Sequence, residues 1–125
     1  MKTDFFRGRR LRRSPGLRAM VRETRLAPED LIMPYFVVDT PDVNFCKEIT
    51  SMPGQHQLSL ARLEARVGAA VEHGLRALML FGIPKNKDAQ ASEAYAPDGI
   101  VQRAVAMLKK RWPELQIITD VCLCE

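Results

Sequence analysis

Two cysteines separated by one residue, Cys122 and Cys124, stand near the end of the chain. In an extended backbone, side chains at i and i+2 point to the same face. The pair can therefore aim both sulfurs at one point, with Leu123 turned the other way. Two thiolates placed like this suit one soft cation, and zinc takes sulfur at roughly 2.3 Å. A disulfide within the pair is disfavoured, because neighbours this close in an extended strand strain the bridge. Asp120 points to the same side as the two cysteines. Two sulfurs fill half of a tetrahedral zinc site, so the segment by itself predicts weak affinity.

The other chemistry-bearing residues read more plainly. Cys46 sits alone in a polar loop and is assigned no role. His73 falls in the last turn of an expected helix, where a cation suits the helix dipole, and reads as a surface residue. Lys85 and Lys87 lie in a long loop; an anion site is one reading of them and solvation the better one. Lys109, Lys110 and Arg111 cluster at a helix C-terminus and read as a solvated cap.

The elements that must position the cysteines follow from apolar patterning. Continuous apolar runs predict buried strands near 31–38, 77–83 and 115–122. Pro34 is awkward in the first, since it withholds a ladder donor; a bulge, or a start near Tyr35, would resolve this. Ser59 is a plausible N-cap for a helix carrying Leu60, Leu63, Val67, Ala70 and Val71 on one stripe, with Gly74 as its stop. Asp98 is expected to cap a second helix, Gly99 to Trp112, whose stripe is Ile100, Val101, Ala104, Val105, Leu108 and Trp112; Pro113 ends it. Residues 39–58 read as irregular, with 49–52 as a short strand and Ser-Met-Pro-Gly as a turn.

The order is arm, β, α, β, α, β. Apolar strands alternating with amphipathic helices imply an α/β fold with a parallel sheet. Cys122 and Cys124 then fall at the C-terminal end of a strand, the face on which parallel α/β folds place their chemistry.

With 125 residues, 46% of them apolar and 27% charged, the chain is sized for one small folded domain rather than a disordered segment. No apolar run approaches the roughly 18 to 20 residues of a membrane span. The basic N-terminus lacks the apolar core of a secretory signal. Three cysteines make no disulfide framework. Together these features predict a cytoplasmic protein without a membrane partner.

The net charge of +4 is an uneven average. Residues 1–25 hold nine Lys/Arg against two Asp/Glu, and the remaining hundred hold ten against thirteen. A basic arm of that kind can bind nucleic acid, lie on another subunit, or stay solvated. Phe5, Phe6, Leu11, Leu17, Met20 and Val21 are interleaved with its arginines, which favours a protein surface. The acidic remainder, and the lack of an aromatic–basic platform, argue against nucleic acid.

Four segments carry a resemblance: RGRRLRR with the following RAMVRET, then DLIMPYFV, then ITSMPG, and last ITDVCLCE. In this order they resemble the N-terminal part of the porphobilinogen synthase (5-aminolevulinate dehydratase) family across essentially the whole chain. DVCLCE is the most specific, being similar to the metal segment of the zinc-type members. The resemblance implies an arm, residues 1–28, followed by the first three βα units of a truncated TIM (β/α)₈ barrel, residues 29–125. It implies condensation of two 5-aminolevulinate molecules to porphobilinogen, with loss of water, in haem biosynthesis. It implies a homo-octamer assembled through the arm. Carried over by position, Cys122 and Cys124 are two of three zinc cysteines, and Asp120 lines the active site. The family's Schiff-base lysines belong to later strands. A magnesium site in the full-length family would also use residues outside this chain. The expectation is therefore a fragment that is catalytically incomplete by itself. The alternative is a stand-alone metal-binding or subunit-docking module.

Overall fold

The computed structural model describes residues 8–121. Its centre is a five-stranded sheet in the order β2-β3-β1-β4-β5. The strands are β1 (Ile32–Val38), β2 (Cys46–Glu48), β3 (His56–Leu58), β4 (Ala77–Ile83) and β5 (Gln116–Thr119). The helices are α1 (Pro15–Met20), α2 (Leu60–Glu72) and α3 (Ile100–Arg111). β1, β4 and β5 run parallel, joined through α2 and α3, as alternating apolar strands and amphipathic helices require. Among the described residues the sheet is open.

The pairing register sorts the strand residues onto two faces. Met33, Tyr35 and Val37 of β1 share a face with Leu78 and Leu80 of β4. That face receives α2 and α3, and the core is built there from Val37, Leu63, Val67, Leu78, Leu80, Ala104 and Leu108, all fully buried. The opposite face carries Pro34, Phe36, Met79 and Phe81, all half-buried, with Phe36 and Phe81 stacked at 5.1 Å between ring centroids. No described helix covers it. A strand apolar on both faces but helix-covered on one is what the wall of a parallel barrel looks like, its second face being turned inward.

Helix starts follow cap chemistry. Ser59 Oγ accepts the Arg62 N–H at 3.3 Å and donates to the Val43 carbonyl at 2.6 Å, so one buried hydroxyl caps α2 and holds the preceding loop. Gly74, at φ +98°, ends this helix in the left-handed conformation a C′ residue needs. α3 departs from the expected cap: its N-cap is Gly99, not Asp98. A Cβ at Gly99 would stand 2.7 Å from the Glu93 carbonyl oxygen, so the close approach of the preceding loop selects glycine. Gly82 of β4 has the same logic, since a Cβ there would lie 2.5 Å from Val101 Cγ2. Its absence lets α3 settle against the sheet.

Three other sequence expectations need correction. Residues 39–58 are not irregular: β2 and β3 form an antiparallel hairpin, and β3 also pairs parallel to β1 at Phe36 and Val37. Residues 49–52 are its turn rather than a strand, closed by Met52 N–H to Ile49 O at 2.8 Å and by Gly54 at φ +82°. Turn chemistry there outweighed the β propensity of Ile49. Pro34 needs neither bulge nor late start. β3 reaches only Phe36 and Val37, so beside Pro34 one flank of β1 has no ladder in which to miss a donor. Lys109 is exposed, as a solvated cap would be, but its Nζ also donates to the carbonyls of Pro113 at 2.8 Å and Leu115 at 2.9 Å, closing the passage from α3 into β5.

From residue 8 to 31 every residue except Ser14 is exposed. Ser14 Oγ accepts the Leu17 N–H at 3.2 Å and starts α1, with Pro15 in the first turn. Ser14 to Gly16 is thus a helix start. Leu11, Met20 and Leu26 are 56%, 82% and 80% exposed, so the apolar side chains of the arm are not spent on this sheet.

Candidate active-site rim

The C-terminal ends of β1, β4 and β5 lie side by side, and backbone bonds hold them level. Asp39 N–H donates to Ile83 O at 2.9 Å, joining the ends of β1 and β4. Asp120 N–H donates to Leu80 O at 3.3 Å, extending the β4–β5 pairing one residue past Thr119. The chain therefore leaves β5 still in ladder register, with an exposed carboxylate as the first residue beyond the strand.

Asp120 borders a cavity of about 570 Å³ between the ends of β4 and β5 and the flank of α3, lined also by Gly82, Pro84, Val101, Val105 and Thr119. The wall is mainly apolar, and the flank of α3 supplies the largest share of it. Glu93 and Ala94, from the loop after β4, close one side. Gln102 Nε2 donates to Ala94 O at 2.9 Å and ties that loop to α3. The loop is stiffened from within. Asp88 Oδ1 accepts from Gln90 N at 2.9 Å and Ser92 N at 3.1 Å, and Oδ2 accepts from the Ser92 hydroxyl. These bonds, the Ser92 hydroxyl first, hold the Asp88 carboxyl below its ordinary pKa.

Of the predicted site residues, Asp120 is the first residue past β5, which ends at Thr119 and so falls short of the expected strand near 115–122. Cys122 and Cys124 lie outside the described residues. Among those described, no three His, Cys, Asp or Glu side chains converge as a metal site. Cys46 is exposed on the edge strand β2. His73 is exposed at the end of α2, its Nδ1–H donating to Ala69 O at 2.7 Å. Lys85 and Lys87 are exposed in the loop after β4.

Sequence reading missed one member of the rim. Asp39, just past β1, accepts a hydrogen bond from Arg103 Nη2 of α3 at 2.5 Å, an ion pair clamping a strand end to the helix that walls the cavity. Asp39 looked like the first residue of a polar loop and Arg103 like part of a solvated helix face. At a sequence separation of 64, no local spacing announces the contact.

The profile of the family described as Delta-aminolevulinic acid dehydratase matches residues 5–125. A Delta-aminolevulinic acid dehydratase of Staphylococcus aureus is 48% identical over 121 residues, which is 97% of this chain and 37% of that protein. The crystal structure of delta-aminolevulinic acid dehydratase (porphobilinogen synthase) from Toxoplasma gondii ME49, in complex with the reaction product porphobilinogen, superposes with a TM-score of 0.85 at 38% identity. That match covers 95% of this chain and 34% of the other. The chain thus spans little more than a third of the length of these relatives. An open sheet with an inward apolar face is what the opening section of their barrel requires, and the match runs through the strand end that bears Asp120: the chain belongs to the delta-aminolevulinic acid dehydratase family.

Proposed function

We propose that this chain supplies the arm and opening βα units of a porphobilinogen synthase, which condenses two 5-aminolevulinate molecules to porphobilinogen with loss of water. The observation that carries the reading is the family match through the end of β5, where Asp120 stands exposed beside a cavity. Residues 1–28 act as an oligomerisation arm in a homo-octamer and residues 29–125 as the opening of the barrel. The exposed apolar side chains of the arm support this division, since a purely electrostatic tail has little use for them.

Cys122 and Cys124 are the thiolates that would hold zinc, together with the third cysteine that follows shortly after this segment in the family. Their chemistry fits, because two adjacent thiolates are a soft donor pair. When bound, the ion supplies Lewis-acid polarisation of a substrate oxygen. The protein side of the work falls to named groups. Asp120 accepts hydrogen bonds from the substrate's amino group. The Asp39–Arg103 clamp fixes the height of the β1 end. The lysines of this chain are not the Schiff-base pair. Lys109 is bound to two carbonyls, and Lys85 and Lys87 stand in solvent. The 125 residues are therefore read as inactive alone.

The test is a chimera joining this chain to the residues that follow the matched segment in the Staphylococcus aureus relative. Porphobilinogen should form from 5-aminolevulinate with the chimera and not with the 125-residue chain. A folded, assembled chimera that makes none, or activity in the short chain, would contradict the reading.

A further inference from the structure

A second cavity, of about 250 Å³, opens between α2 and the first halves of β1 and β3. Tyr35, Gln55, His56, Arg66 and His73 supply its polar wall, and no carboxylate lines it. His56 begins β3 and His73 follows the last residue of α2, so the cavity lies toward the N-terminal ends of the parallel strands, away from Asp120.

Its floor is an unspent donor. Tyr35 is only 6% exposed, yet its hydroxyl has no hydrogen-bond partner among the described residues. No described polar side-chain atom is both sealed from solvent and unpartnered, so this hydroxyl faces the cavity. Both histidines are oriented by the backbone. A carbonyl can only accept, so His56 Nδ1–H donates to Gly54 O at 3.1 Å and His73 Nδ1–H to Ala69 O at 2.7 Å. Each ring keeps Nε2 for another partner. Arg66 Nη2 comes within 3.4 Å of His56 Nδ1, but that nitrogen already carries its hydrogen toward Gly54, so the guanidinium is not satisfied there. Arg66 forms no ion pair among the described residues. Burial raises the Tyr35 pKa and the Arg66 charge lowers it in part, and both side chains line the same cavity.

We propose that this cavity binds a small oxyanion, with the Tyr35 hydroxyl and the Arg66 guanidinium as its principal donors. A cation is disfavoured by Arg66 and by the absence of any carboxylate. An apolar ligand would leave the buried Tyr35 hydroxyl unpaired, while Arg66 is exposed and free to reach an anion at the cavity mouth. The guanidinium fork matches two oxygens of a phosphate or a carboxylate, and an imidazole Nε2 becomes a further donor when protonated.

The test titrates the 125-residue chain with inorganic phosphate, and separately with acetate, at constant ionic strength, following the imidazole resonances of His56 and His73. Saturable shifts of both rings are expected with phosphate; saturation by acetate as well would assign the site to oxyanions generally, and its absence to the tetrahedral dianion. Tyr35→Phe, which keeps the buried ring, should weaken binding about tenfold, the size of one charge-assisted hydrogen bond. Arg66→Gln should weaken it further and Arg66→Lys recover part of the loss, while Arg62→Gln, outside the cavity, should change nothing. Absence of saturation with both anions, or binding that ignores Tyr35→Phe and Arg66→Gln, would mean an adventitious ion only and overturn the proposal.

Discussion

Arg103 and Asp39 form a half-exposed ion pair whose role is positional rather than a large source of stability. Arg103 is 41% and Asp39 27% exposed, which puts the pair in the range of about 0.2–1 kcal/mol. A double-mutant cycle of Arg103→Gln and Asp39→Asn in urea should return a coupling of that size, shrinking with added salt. Zero coupling at low salt would remove the clamp from the account. Gly82 is stricter. Gly82→Ala places a Cβ on Val101, and overpacking of this kind costs about 1–3 kcal/mol. A variant as stable as the parent would show that α3 is not seated closely on β4. Asp88 gives a dependence on pH. Its folded pKa is lowered, chiefly by the Ser92 hydroxyl, so its contribution is present above the ordinary carboxylate range and is lost as pH falls through the lowered value. An NMR titration should find the Asp88 carboxyl below its ordinary pKa and Ser92→Ala should move it up. An unchanged midpoint would refute the loop lock.

At the scale of the element, α2 depends on one hydroxyl. Ser59→Ala removes both the helix cap and the bond to Val43, for an expected loss of about 1–2 kcal/mol in thermal or urea unfolding. A loss confined to a few tenths would mean that the loop does not need the cap. The elements also show why sequence reading succeeded and where it failed. β1 and β4 were legible to within a residue because both faces of each strand are apolar, and no other local structure spends seven such residues in a row. α2 and α3 declared themselves by periodicity. The hairpin did not, because Cys-Lys-Glu and His-Gln-Leu carry no apolar alternation; a tight turn and pairing with β1 create those strands. The cap of α3 was misassigned because Asp98 has the better capping side chain, whereas the contact that decides the matter, Glu93 against Gly99, is tertiary. The two carbonyl partners of Lys109 were not legible for a similar reason: they follow the helix that a periodicity argument treats alone.

Across the whole molecule, the two sheet faces explain how the parts combine. One is finished by α2 and α3. The other is apolar and, among the described residues, bare of helices, as the wall of a barrel is, and the parallel strand ends deliver Asp120 to one rim. The parallel run of β1, β4 and β5 and the placement of that rim could be read from the alternation of elements. The Asp39–Arg103 clamp and the Tyr35–Arg66 cavity could not, because both join residues that only the fold brings together. The central claim is that the rim at the end of β5 carries the chemistry. Its most direct test is the rate of porphobilinogen formation in the chimera with four single substitutions. Cys122→Ser, Cys124→Ser and Asp120→Asn should each lower the rate by about 100-fold or more, since even partners behind metal ligands cost about 10–100-fold. Cys46→Ser, on the far edge strand, should leave it within about twofold, as a surface substitution away from the site does. A rate untouched by loss of Cys122 or Cys124, or one that falls as far with Cys46→Ser, would contradict the account.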